Sequence, residues 1–382
     1  MSLAGIIGHQ QALRVLRRAF AEERVPPAYL FVGPPDLGKY TVALQFAKLL
    51  NCTQVRARED PDAADCCDEC PSCRRIEEGH FADVLAARPV VRIGKGAQTE
   101  STEFEGAVLT TDQIGEVITR AGLKASRGRH KVLIVARAET MNPEAANRLL
   151  KTLEEPPPRT TIILTSSNPS AMLPTTVSRC QKVSFHPVPL EELLEGLAAR
   201  APGADRETLE TVARLGAGRV GWALSVLQTP EALAVRREAL ELLTKLPGQP
   251  LVASLALAEE LVRLAERWWL ARNEGTEAAE DVLKRSADRV RRVALCELLD
   301  LMASALRDVM LLASGDGKLV LNVDRLSELR GMAEGTTPQM AHRAALAVEH
   351  VQRHLRGNAN LRLACELLLL QIMQACRQGT QG

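Results

Sequence analysis

"AYLFVGPPDLGKYTVALQFAKLL", Ala28 to Leu50, decides the fold. Ala28 to Gly33 is a short apolar run closed by glycine, which reads as a buried strand. From Lys39 onward, apolar residues fall at Val42, Ala43, Phe46, Ala47, Leu49 and Leu50, at helical spacing. Strand, glycine turn and helix in that order form the context of a phosphate-binding loop. Gly33, Gly38 and Lys39 match its pattern. The next position calls for Ser or Thr, whose short hydroxyl would meet Mg²⁺, and it is Tyr40. Thr41 comes one residue later, about 100° around the helix, and points elsewhere. The loop therefore reads as vestigial, with weak nucleotide binding as the lesser reading.

Outward from this unit the strand signal recurs. Residues 83–91, the aliphatic run 132–135, residues 160–168 and residues 181–188 read as strands. Helices are expected over 10–22 and 110–123, and over 142–154, where Asn142 and Pro143 open the helix and Pro156 to Pro158 stop it. Residues 92–108 are polar and Gly-rich and read as an exposed excursion. Alternation of this kind predicts an α/β layer with a parallel sheet. After Pro189 the strand signal ends. A small helical unit follows, and long amphipathic helices fill the rest. The run Leu367 to Leu370 suggests burial on more than one side of its helix.

Net charge is +1, so no strong whole-chain attraction to nucleic acid or membrane is expected. "KASRGRHK", Lys124 to Lys131, is a local basic stretch that suits either DNA phosphates or a solvated loop. No signal peptide and no membrane span are read, which implies a cytoplasmic protein. Five of nine cysteines lie between Cys52 and Cys73. In a reducing compartment such a cluster argues for a metal. Cys67, Cys70 and Cys73 keep a CxxCxxC spacing, and Cys52 ends the loop helix, so these four are the expected tetrahedral Zn²⁺ ligands. Cys66 is a spare that competes with Cys67, and His80 reads as a loop residue. A site closed by four thiolates is structural, with no place for a reacting water. The neighbourhood of the cluster is acidic, which argues against a zinc-dependent DNA-binding module.

The loop, the stretch "NRLLKTLEEPPPRTTIILTSSNPSAMLPTTVSRCQ" and the cysteine cluster resemble the delta-prime family of the bacterial DNA polymerase III clamp loader. These are AAA+ proteins related to the gamma/tau subunits. The resemblance is strong over residues 4–186 and only architectural near the C-terminus. It implies an AAA+ module with its zinc element over residues 1–187, a helical lid over 188–230 and a helical collar over 231–382. It also implies work within a ring, with gamma/tau and delta subunits as partners, and contact with the sliding clamp and primed DNA through that complex.

Four further positions depart from the ATPase members of the family. Asp36 stands where they usually have Gly, and a carboxylate there repels triphosphate. Their Asp-Glu pair, which supports Mg²⁺ and orients water, is Ala136 and Arg137 here, with Glu139 two residues past it. Their phosphate-sensing Arg is Gly221, with Arg219 out of register. ATP or ADP binding is therefore not expected, nor is ATPase activity by this chain alone. A gamma/tau-type ATPase is the alternative. One feature of the family survives: Arg179, in "SRC", is expected to enter a neighbour's ATP site in trans, because planar guanidinium donors match phosphate oxygens. Cys180 reads as a packing residue.

Overall fold

The computed structural model describes residues 1–57, 60–93, 100–103, 107–122, 130–273, 277–285, 287–357 and 359–377. Two compact units are present. One comprises Met1–Val91, Glu103–Gly196 and Ala217–Trp222, and the other Arg92–Thr102, Leu197–Gly216 and Ala223–Gly382.

The first unit holds the expected α/β layer with a parallel sheet. After α1 (Gln10–Ala21), β1 (Ala28–Val32) enters the loop and α2 (Lys39–Asn51) leaves it. Then follow α3 (Pro71–Glu77), β2 (Val84–Ala87), β3 (Val90–Ile93), β4 (Glu100–Glu103), α4 (Thr111–Gly122), β5 (Lys131–Val135), α5 (Pro143–Glu154), β6 (Thr160–Ser166), α6 (Pro174–Ser178) and β7 (Gln181–Ser184). Five parallel strands lie in the order β2-β5-β6-β1-β7. Residues 83–91, read as one strand, are two. Pro89 has no N–H to donate and ends the main-sheet ladder after β2; β3 then pairs with β4 in a separate two-stranded sheet.

Alternation of side chains builds two cores from one sheet. Tyr29, Phe31, Val132, Ile134 and Ile163 pack with Leu13, Leu16, Phe46 and Leu49 of α1 and α2. Ala28, Leu30, Leu133, Val135, Ile162 and Leu164 pack with Ile114, Leu149 and Leu153 of α4 and α5. Helix starts follow sequence signals. The Asn142 side chain accepts from Ala145 N–H at 2.9 Å. Thr110 and Gln113 cap each other across the first turn of α4.

Tyr29 is an outlier in this core. It is fully buried, its ring stands edge-on to Phe31 and Phe46, and among the described residues its hydroxyl has no partner. Burial alone holds the phenol far above its usual pKa. An unmet buried hydroxyl costs about 1–3 kcal/mol. Tyr29→Phe is therefore expected to leave stability equal or raise it by about 1 kcal/mol in denaturant titration. A loss of that size would mean that the hydroxyl has a partner after all.

Among the described residues, helices alone follow β7: α7 (Leu190–Arg200), α8 (Arg206–Gly216), α9 (Val220–Leu227), α10 (Pro230–Lys245), α11 (Ser254–Arg272), α12 (Glu277–Arg285), α13 (Ala287–Ala313), α14 (Leu326–Glu334), α15 (Pro338–Arg356) and α16 (Leu361–Arg377). In the second unit, Leu295, Leu298, Met302 and Leu306 of α13 are fully buried. On α16, Leu368 and Leu369 are buried but Leu367 is 47% exposed. The leucine run thus buries one broad face, on which the adjacent Leu368 and Leu369 lie about 100° apart, and Leu367 falls outside it. No helix among the described residues is long and apolar enough to cross a membrane.

Candidate functional site

The turn between β1 and α2 has the backbone of a phosphate loop. Gly38 takes a left-handed conformation at φ 82° and caps α2; only a residue without Cβ does this at low cost. Asp36 is also left-handed, at φ 59°, which explains why glycine suits that position. Lys39 is buried, and its ammonium donates to the Gly33 and Pro34 carbonyls at 2.6 and 2.5 Å. Burial lowers its pKa to about 8, against the opposing pull of Glu139 and Asp36.

Neighbouring residues fix the loop further. The His9 ring bonds to the Leu37 carbonyl at 2.8 Å. The Gly221 N–H, in the first turn of α9, donates to the Asp36 carbonyl at 2.7 Å. A Cβ at Gly221 would stand 2.9 Å from that same oxygen, so the contact excludes any side chain there. Arg219, out of register, lies over the Trp222 ring at 5.4 Å.

The Tyr40 ring packs against the core of α1 and α2, and the Arg88 guanidinium lies 3.9 Å from the ring centre. Thr41 is half-buried one residue on. Arg88 escaped the sequence reading, although strand register could have found it. Ala87 pairs with Val135, which sets Arg88 beside Ala136 at the end of two adjacent strands.

At that end Ala136 is buried, and Arg137 is left-handed at φ 52°, with its N–H donating to Thr165 Oγ1 at 3.1 Å. Glu139 was read as out of register, and its place is more specific than that. Ser167 N–H and Oγ hold its Oε1 at 3.1 and 2.6 Å. Among the described residues its buried Oε2 has no hydrogen bond, and its charge acts on Lys39. A turn after β5 brings it back to the loop, which strand spacing alone could not reveal.

Arg179 caps the C-terminal end of α6 and is exposed. Its guanidinium pairs with Glu154 at 2.7 Å and donates to the Thr175 carbonyl at 3.0 Å. Beside it, Met172, Pro174, Val177, Cys180 and Lys182 help line an open groove of about 500 Å³. Cys180 donates to the Thr176 carbonyl, and burial pushes its thiol up to about 11, so it is no thiolate nucleophile at neutral pH.

The Sγ atoms of Cys52, Cys67, Cys70 and Cys73 lie within 4.8 Å of one another, and all four residues are buried. Tetrahedral Zn²⁺ with bonds of about 2.3 Å sets its sulfurs about 3.8 Å apart. Cys52 and Cys67 already stand at 3.5 Å. Backbone N–H groups of Cys67, Cys70 and Cys73 point at the sulfurs of Cys52, Cys67 and Cys70. Four soft donors with amides aimed at three of them fit one ion that prefers thiolates. Cys66 is buried beside them but lies outside this quartet.

Between Cys52 and Cys67, Arg56 and Asp65 pair through their backbones at 2.9 and 3.1 Å, closing the intervening segment at its base. Asp62 then pairs with Arg18 at 3.0 Å on α1, and Asp65 accepts from the Leu3 and Ala4 amides. Lys48 of α2, almost wholly buried, is met by Asp68 and Glu77. His80 is an exposed loop residue.

In the basic stretch 124–131, residues 124–129 lie outside the described residues. Lys131 is buried, with its ammonium on the Arg120 and Ala121 carbonyls at the end of α4. His130 bonds to Asn51 and Thr161. The described end of the stretch thus serves the fold.

Comparison with known proteins shows what the chain is similar to. The family model described as "DNA polymerase III, delta subunit" matches residues 8–189. The chain is 24% identical to subunit delta′ of DNA polymerase III from Bacillus subtilis, over 95% of this chain and 96% of that one. It is 34% identical to subunit delta′ from Pseudomonas aeruginosa, over 50% and 52%. To subunit tau of Bacillus subtilis it is 23% identical, over 98% of this chain and 62% of the longer relative. Over these spans the chain is similar to DNA polymerase III delta′ and tau subunits.

Proposed function

We propose that this chain is the delta′-type subunit of a DNA polymerase III clamp loader: a non-catalytic, cytoplasmic stator. It assembles with gamma/tau and delta subunits and, through the complex, helps place the sliding clamp on primed DNA. Its AAA+ module spans 1–187, its lid 188–230 and its collar 231–382. Arg179 enters the ATP site of a gamma/tau-type neighbour, and Cys52, Cys67, Cys70 and Cys73 hold a structural Zn²⁺.

The observation that carries this reading is the position after Lys39. Where a metal-facing hydroxyl belongs, the Tyr40 ring packs under Arg88. Ala136 and Arg137 leave the sheet edge without the carboxylate pair that supports Mg²⁺ and water. The charge of Lys39 is countered by Glu139 and Asp36, which oppose a triphosphate. Gly33, Gly38 and Lys39 persist because they build the turn from β1 to α2, and Thr41 adds no ligand.

Nucleotide titration of the isolated chain tests this. With or without Mg²⁺, no saturable ATP binding is expected at micromolar concentrations, and no turnover above background. Mg²⁺-dependent saturation in that range would favour a gamma/tau-type ATPase instead.

A further inference from the structure

We infer that Glu154 is a restraint on Arg179, a resting partner that the neighbour's phosphate must displace. This rests on the reading of Arg179 as a finger acting in trans. Glu154 is the last residue of α5, and Pro156 to Pro158 follow closely, so the carboxylate sits on a stiff helix end. Its Oε1 lies 2.7 Å from the guanidinium. A second arm of Arg179 is on the Thr175 carbonyl, which also accepts the Ser178 hydroxyl at 3.1 Å. The carbonyl ends of α5 and α6 add negative potential at the same place. One carboxylate, one carbonyl and two helix ends thus hold the cation against its own subunit.

Exposure sets how firm this hold is. The two side chains are 37% and 50% exposed, so water and salt compete for the pair. A buried pair would be a lock, whereas this one is a rest position that can be left. A guanidinium paired with a carboxylate offers an incoming phosphate little net charge. It becomes an effective finger only after leaving Glu154, and that exchange subtracts from the stabilisation it gives.

Reconstituted loader, followed by single-turnover ATP hydrolysis, tests the restraint. Glu154→Gln is expected to raise the rate about two- to fivefold, the upper range for an exposed pair. Glu154→Ala should do the same, since the site is open and neither change disturbs a core. In an Arg179→Ala background, Glu154→Gln should have no effect, because the group it restrains is gone. The gain should also shrink as salt rises. If Arg179→Ala slows hydrolysis but Glu154→Gln leaves it unchanged or slower, Glu154 is no restraint. The same follows if Glu154→Gln still accelerates in the Arg179→Ala background. If Arg179→Ala itself changes nothing, the finger reading fails first, and the restraint with it.

Discussion

Arg179→Ala is expected to slow hydrolysis at the neighbouring ATP site by about 10³-fold or more, the range seen for arginine fingers. The total rate of the complex falls less, because other sites keep their own fingers. Assembly should persist. Arg179 is exposed, and among the described residues it pairs with Glu154, so the side chain contributes little to the fold. Arg179→Lys should recover little, since an ammonium cannot present two coplanar donors to a phosphoryl group. Single-turnover hydrolysis with size-exclusion analysis of the complex checks both points. An unchanged rate in a fully assembled complex would remove Arg179 from the chemistry.

Loss of the metal is the second large effect. The purified chain is expected to hold about one Zn²⁺, and Cys70→Ser to lose it. Cys70 has two roles, since its sulfur also caps α3 by accepting from Cys73 N–H. Serine preserves a cap but is a poor zinc ligand, so this substitution isolates the metal from the helix end. Structural zinc is worth about 10–16 kcal/mol in isolated zinc fingers. Here part of the module is held independently by Asp65, Lys48 and the Arg56–Asp65 pairing. Local opening of residues 52–80, read as rapid proteolysis, is therefore expected rather than global unfolding. Cys67→Ser should also lose the metal and Cys66→Ser should keep it. Retention in Cys67→Ser with loss in Cys66→Ser would exchange the two thiols.

Much of this was legible because each signal was local. The order of strand, glycine loop and helix, the Asn142 cap and the CxxCxxC spacing need only neighbours in sequence. What escaped depends on tertiary register. Arg88 meets Tyr40 only because β2 ends beside β5. Glu139 acts on Lys39 only after the chain turns back beyond Arg137. The closure of the segment between Cys52 and Cys67 by Arg56 and Asp65 depends on pairing across eight intervening residues, which no composition reveals. Leu367 misled because a run of identical residues carries no period from which to choose a face.

The bond from Gly221 to the Asp36 carbonyl has a further consequence. In a working nucleotide switch, a γ-phosphate would bridge the loop and a sensing side chain, and that bridge would come and go with hydrolysis. In this chain a backbone amide bonds the loop carbonyl directly at 2.7 Å, with no phosphate between them. In the proposed delta′-type stator, this joint is expected to keep one setting whatever nucleotide a neighbour holds.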